Sequence, residues 1–165
     1  MKRFNLLFLL ALIFGAAFVA VEAQTKQTGE RKFGFLERFE KAASGGYQIK
    51  MDYAELFEGD QAEREAKKDG EPSPADTSGI YIRNKNPKIH TERVAANAQV
   101  FALKNIEPYK LTLANFDLLR AGKLKDADKF WGFPSQYGAA GVEPMPCYVT
   151  IKNGAVVKIE QVYFP

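Results

Sequence analysis

His90 and Cys147 are the only histidine and the only cysteine in the chain. As a pair they could serve as base and nucleophile, since an imidazole within reach of a thiol can draw off its proton. The residues around them argue against that chemistry. Cys147 falls on the apolar face of an alternating segment, where a thiolate is disfavoured. His90 shares a strand face with Lys88 and Glu92 and has no second metal-ligating residue at a useful spacing. A lone cysteine rules out an intramolecular disulfide and leaves a free thiol or an intermolecular bridge.

Acidic residues gather at Asp52, Glu55, Glu58, Asp60 and Glu63. A glycosidase needs two carboxylates across a cleft, and a calcium loop needs oxygen ligands at fixed positions. The spacing meets neither requirement. It fits a helix start with a solvated acidic face, Asp60 and Glu63 forming a capping box. Asp126 and Asp128 likewise lack the glycine and terminal glutamate of a calcium loop. The chain has no G-x-S-x-G, H-E-x-x-H, phosphate-loop or dinucleotide motif. No catalytic residue, cofactor site or metal site is therefore expected.

The stretch most suited to binding is DKFWGFPSQYGAAGVEPMP, residues 128–146. Trp131, Phe133 and Tyr137 stand there among glycines and prolines. Aromatic rings on such a loop can stack on sugars or grip peptides at little entropic cost. The competing reading is that they fold back over the open end of a small sheet, because aromatic side chains bury well.

Charge narrows the partners. The chain has 23 basic and 20 acidic residues and a formal net charge of +3. No dense Lys/Arg run occurs, so the sequence points to neither nucleic acid nor an anionic membrane surface. The first residues, MKRFNLLFLLALIFGAAFVAVEAQTK, combine a basic head, a short apolar run from Leu6 to Val21, and small residues at Val21 and Ala23. That is the three-part pattern of a secretory signal, with cleavage expected after Ala23. The run is too short and too well terminated for a bilayer span. The mature chain is expected outside the cytoplasm, periplasmic or secreted, with no stable membrane insertion.

The elements that would position these residues follow from periodicity. Residues 24–32 read as a flexible leader. Phe33, Leu36, Phe39 and Ala43 recur at helical spacing and predict a short amphipathic helix, stopped by Ser44-Gly45-Gly46. Tyr47 to Tyr53 alternates strictly and predicts a half-buried strand. A helix is expected over 61–68, a loop over 71–78, a strand over 79–83, and a turn at Asn84-Lys85-Asn86-Pro87. Further strands are expected at 88–94 and 99–103. Thr112 can cap a helix over 113–121, with Gly122 as its stop. Residues 132–146 show no period.

The last segment, PCYVTIKNGAVVKIEQVYFP, turns at Asn153-Gly154. A two-residue loop would pair Lys152 with Ala155; a three-residue loop would pair Ile151 with Ala155. Only the second puts Cys147, Val149, Ile151, Ala155, Val157 and Ile159 on one face. Burial therefore selects it, with a bulge at Gly154.

Two of these stretches, YIRNKNPKIHT at 81–91 and YVTIKNGAVVKIEQVYFP at 148–165, carry a resemblance. With MDYAELFEGDQAEREAKKDG at 51–70, they are similar to a family of small exported bacterial proteins. That family pairs a strand-Asn-x-Asn-Pro segment with a C-terminal hairpin ending in Tyr-x-Pro. The resemblance implies an exported single-domain protein and assigns no catalytic or binding residue.

The expected fold is α+β: a twisted antiparallel sheet of about five strands, partly closed like an oligonucleotide/oligosaccharide-binding (OB) barrel, with two or three short helices. A cystatin-like helix-on-sheet roll is the alternative. The domain is expected to span 47–165. The expected function is non-enzymatic binding of a cell-envelope glycan, another envelope component or a protein partner. A small secreted hydrolase is the alternative.

Overall fold

The computed structural model describes residues 29–74, 79–85, 87–132 and 144–164. The signal segment at 1–23, the leader up to residue 28, the end of the loop at 75–78, Asn86 of the turn, and Phe133 and Tyr137 lie outside the described residues.

The order of elements is β1 (Glu30–Lys41), β2 (Tyr47–Tyr53), β3 (Glu55–Glu58), α1 (Gly59–Asp69), β4 (Ile80–Arg83), β5 (Ile89–Lys104), β6 (Glu107–Leu111), α2 (Leu113–Arg120), β7 (Met145–Lys152) and β8 (Ala155–Gln161). The main sheet runs β2-β1-β7-β8-β5-β6, and β2 also pairs with β5. That last pairing closes β1, β2, β5, β8 and β7 into a five-stranded barrel. β5 and β8 are parallel; the other pairs around the barrel are antiparallel. Counting only the barrel strands, the circuit is 1-2-3-5-4-1, with α2 between the third and fourth. This is an OB-like barrel, as expected, with β6 as an added strand.

The helix expected over 33–43 is instead the strand β1. A bulge explains why it mimicked a helix. The register of β1 against β2 shifts between Leu36 and Arg38, so Leu36 and Phe39, three apart, both face inward opposite Met51 and Ile49. Phe33 points the other way. It is buried on the outer surface against Phe35, Tyr148 and Phe164. The division at residue 47 is corrected accordingly, since β1 is a barrel strand. Gly34 faces inward where β1 and β2 nearly touch. A Cβ there would lie 2.3 Å from the Asp52 carbonyl oxygen.

Leu36, Ile49, Met51, Val100, Ala102, Cys147, Val149, Val156 and Ile159 fill the interior, all fully shielded. α2 plugs one end. Thr112 Oγ1 accepts from the Asn115 amide at 3.1 Å, the expected cap. Phe116 then meets Phe39 edge-on with ring centres 4.9 Å apart. Arg120, on the same helix, is buried and donates to the carbonyls of Leu36 and Glu37, at the bulge, at 3.3 and 3.2 Å. Burial lowers its pKa to about 10, which leaves it cationic at neutral pH.

The strands expected at 88–94 and 99–103 are one strand, β5, sixteen residues long. It pairs with β2 through Val94 and with β6 from Val100 onward. Between β2 and β5 sits an insertion in which the hairpin β3–β4 carries α1. Ala62 and Ala66 are fully buried there. Glu58, not Asp60, stands at the start of α1, and no side chain caps it. The expected capping box is therefore absent. Arg83 ties the insertion together through Asp69 (2.5 Å), Glu65 (2.7 Å) and Glu55 (3.2 Å). Lys85 and Tyr81 also donate to Asp69.

The terminal hairpin turns through the two-residue loop, which corrects the three-residue loop that burial favoured. Lys152 pairs with Ala155 and Ile151 with Val156, around a two-residue turn. The register then shifts, so that Thr150 pairs with Lys158 and Val149 with Ile159. Asn153 and Gly154 have φ of 52° and 69°, a type I′ turn. The bulge lies at Val157 instead of the turn. Val156 is consequently fully buried and Val157 only half-buried. No helix among the described residues is long and apolar enough to cross a membrane.

Candidate functional site

A strand of a closed barrel turns alternate residues outward, so a row across several strands is set by register. Phe33 lies opposite Tyr148, Tyr148 opposite Glu160, Glu160 opposite Phe101, and Phe101 opposite Lys110. This row crosses the outer surface of β1, β7, β8, β5 and β6. A parallel row brings Arg31, Thr150, Lys158 and Gln99 together.

Two open cavities follow these rows. One, of about 460 Å³, has walls from Phe101, Leu103, Pro108, Tyr148, Val162 and Tyr163. The other, of about 480 Å³, lies between β1 and the insertion, against Phe33, Tyr53, Leu56, Phe57 and Tyr148. Both are lined by Arg31 and Tyr148, so they adjoin on either side of that stacked pair and line up as one trench divided by it. The Arg31 guanidinium lies 3.6 Å from the centre of the Tyr148 ring. It also pairs with Glu160 at 3.6 Å, and Lys158 reaches the other Glu160 oxygen at 2.8 Å. The Lys158 ammonium stands 5.2 Å from the centre of the Phe101 ring. The trench is thus apolar on its floor, with cations lying over two of its rings. A third cavity, of about 330 Å³ at the β1 bulge, is lined mainly by charged groups of both signs, among them Glu37, Arg38 and Asp117.

Trp131 stands at the margin of the trench. Its amide donates to the Leu103 carbonyl at 2.9 Å, and its own carbonyl accepts from Gln161 at 3.0 Å. Its ring meets Tyr163 edge-on at 5.3 Å. It is half-buried and braces a trench wall.

His90 and Cys147 do not form an accessible pair. The thiol is fully buried, and burial pushes its pKa up to about 12. His90 lies opposite Met51, its ring 5.1 Å from that of Tyr53. Tyr53 in turn donates to Glu92 at 3.1 Å, and burial together with that carboxylate raises the phenol's pKa well above its usual value. It is a fixed donor. The acidic residues of 52–63 disperse: Asp52 is buried and accepts from Asn84 at 2.8 Å, Glu55 pairs with Arg83, and Asp60 sits in the first turn of α1. Among the described residues, no three His, Cys, Asp or Glu side chains are grouped to hold a metal.

OB barrels commonly bind nucleic acid on the outer face of their second and third strands. Here that face belongs to β2 and the first half of β5. Its register places Gln48 opposite Arg93 and Lys50 opposite Thr91. Gln48 and Lys50 both bind Glu40, at 2.8 and 3.6 Å. No ring stands in those rows for a base to stack on. Comparison of the chain with protein-family models, curated proteins and solved structures finds no match.

Proposed function

We propose that this protein is an exported, non-enzymatic binding module that holds an extended segment of a protein partner in the trench across β1, β7, β8 and β5. One observation carries the proposal. Two cavities of about 460 and 480 Å³ meet at Arg31 and Tyr148, giving a site that is long, open and apolar-floored. Such a shape suits a chain laid across it better than a compact small molecule, which prefers an enclosed pocket. A polypeptide suits it better than a glycan. The Tyr148 and Phe101 rings already have cations over them. Glu160 and Gln161, whose side chains could meet sugar hydroxyls, are already paired. An apolar side chain can enter between Phe101 and Tyr163, and a partner carboxylate can draw on the excess positive charge of Arg31 and Lys158 over Glu160.

A hydrolase reading would require a nucleophile and a base converging on an open cleft. Among the described residues, the thiol is sealed in the interior and the imidazole contacts a tyrosine instead. Export follows from the signal pattern at the N-terminus, which implies a mature chain beginning at Gln24 in the periplasm or medium.

Selection from a displayed library of random linear peptides tests the binding reading. Recovered peptides should share apolar residues at alternate positions and lose binding to Phe101→Glu. Failure to enrich any sequence, or equal binding to Phe101→Glu, would overturn it.

A further inference from the structure

Among the described residues, the same tight turn occurs twice, once with an unsuitable residue. At the β7–β8 turn, Asn153 and Gly154 take φ of 52° and 69°. At the β5–β6 turn, Asn105 and Ile106 take φ of 49° and 70°. A type I′ turn asks for left-handed backbone at both central residues, and Asn-Gly supplies it without strain. A β-branched residue in that region is an outlier, because its Cβ crowds the following carbonyl. Ile106 gains no burial in return; it is 54% exposed. A strained backbone that serves no internal packing points to a role at the surface.

The surroundings of Ile106 indicate what that surface meets. The β5–β6 hairpin runs past the last pairing of β5 with the barrel at Phe101, so Ile106 is its apex. Tyr109, on the same hairpin, is 46% exposed. Trp131 lines a shallow hollow with Asn105, Ile106, Asp128 and Lys129. The apex is held in place: the Asn105 amide donates to the Lys129 carbonyl at 2.8 Å, and Lys104 bridges to Phe130. Lys104, Lys110, Lys123, Lys125 and Lys129 stand on the two segments, against Glu107, Asp126 and Asp128. Lys129 is paired with Asp126 at 3.3 Å. The Lys104 ammonium lies 4.8 Å from the centre of the Tyr109 ring.

We propose that this apex docks the protein on an anionic phospholipid surface, with Ile106 entering the acyl boundary. The three residue classes match the three depths of such a boundary. An aliphatic tip enters the hydrocarbon, Tyr and Trp occupy the headgroup level, and lysines extend their stems to reach the phosphates. A protein pocket would need only the apolar tip; Lys104 and Lys129 beside it, with the rings of Tyr109 and Trp131, are the added feature that favours lipid. No dense basic run marks this in the sequence, because the cations come from segments separated by α2. The docking does not require an occupied peptide trench, although Trp131 borders both surfaces.

The test uses the exported chain, vesicle sedimentation and the emission of Trp131. The protein should sediment with mixed phosphatidylcholine–phosphatidylglycerol vesicles, less with pure phosphatidylcholine, and Trp131 emission should move to the blue on binding. Ile106→Gly should raise the melting temperature, because the turn relaxes, and lower vesicle partition about tenfold or more, the loss expected for one removed aliphatic side chain. Ile106→Leu should keep most of the binding. A more stable fold with weaker binding separates a surface role from a structural one. Wild-type protein that stays in solution, or Ile106→Gly that binds as well as wild type, would overturn the proposal. Equal binding to neutral and anionic vesicles would overturn its anionic part. A selected peptide that contacts Ile106, in the absence of vesicle binding, would replace lipid with a protein partner.

Discussion

Val156 and Val157 are chemically identical neighbours that the terminal hairpin treats differently. Val156 is fully buried in the barrel, whereas Val157 occupies the bulge and is half-buried. Truncating a buried valine to alanine removes two methyl groups, worth about 1.6 kcal/mol in transfer free energy. The cavity left behind adds about 1 kcal/mol where the surroundings cannot collapse, as in a closed barrel. Val156→Ala should therefore destabilise by about 2–3 kcal/mol. For a domain of this size that lowers the melting temperature by about 7–10 °C. Val157→Ala should cost less than about 1 kcal/mol, since it removes partly solvated atoms at an irregular point of the ladder. Thermal melts of the two variants, followed by circular dichroism, give the comparison directly. The result also bears on the trench, because the shift at Val157 sets Glu160 opposite Tyr148, from where it reaches Arg31. A larger loss from Val157→Ala than from Val156→Ala would refute the bulge and with it the outward row.

Two further outcomes follow. Hydrogen bonds from Lys85, Arg83 and Tyr81 hold the Asp69 carboxyl far below the usual carboxylate range. Because the folded pKa is depressed, this contribution is complete above the unfolded value of about 4 and fades as pH falls below it. Amide exchange in α1 should therefore accelerate in acid before exchange in β1 or β7 does, and simultaneous loss of protection would contradict a separately held insertion. Cys147, with its pKa raised to about 12 by burial, should resist thiol reagents in the native protein at neutral pH and react fully in denaturant; rapid native labelling would show that the thiol is accessible.

Much of the fold was legible because several elements announce themselves locally. Tyr47 to Tyr53 alternates, Thr112 caps, and Asn153-Gly154 turns, and the structure contains all three. The helix misread at Phe33 to Ala43 arose from two things periodicity cannot separate. A bulge advances the inward face by one residue, and an outer-surface aromatic cluster buries Phe33 on the side where a strand is expected to be polar. The sequence of β5 resembles two strands because its middle, Ala95-Ala96-Asn97, lacks β-branched or aromatic residues, although pairing on either side carries the strand through. β6 escaped notice because Pro108 and four exposed positions make it look like a loop.

The site was less legible. Trp131 was singled out, yet it braces a wall, while Phe133 and Tyr137 lie outside the described residues. The trench draws one or two outward residues from each of several strands. Arg31, Phe101, Tyr148, Lys158 and Tyr163 are far apart in sequence and become neighbours only through the barrel's closure. A β-aware reading could have found one clue: in the terminal hairpin, Tyr148 and Thr150 alternate out of phase with the buried residues, which marks a ring on the outer surface.

The partner is proposed to lie across the outer row of β1, β7, β8 and β5. Amide chemical-shift mapping with a library-selected peptide tests it most directly. Shift changes should centre on Arg31, Phe33, Phe101, Tyr148, Lys158 and Tyr163, with little change at Gln48, Lys50, Thr91 and Arg93. Shifts concentrated instead on those four residues of β2 and β5 would place binding on the common OB face and contradict the account.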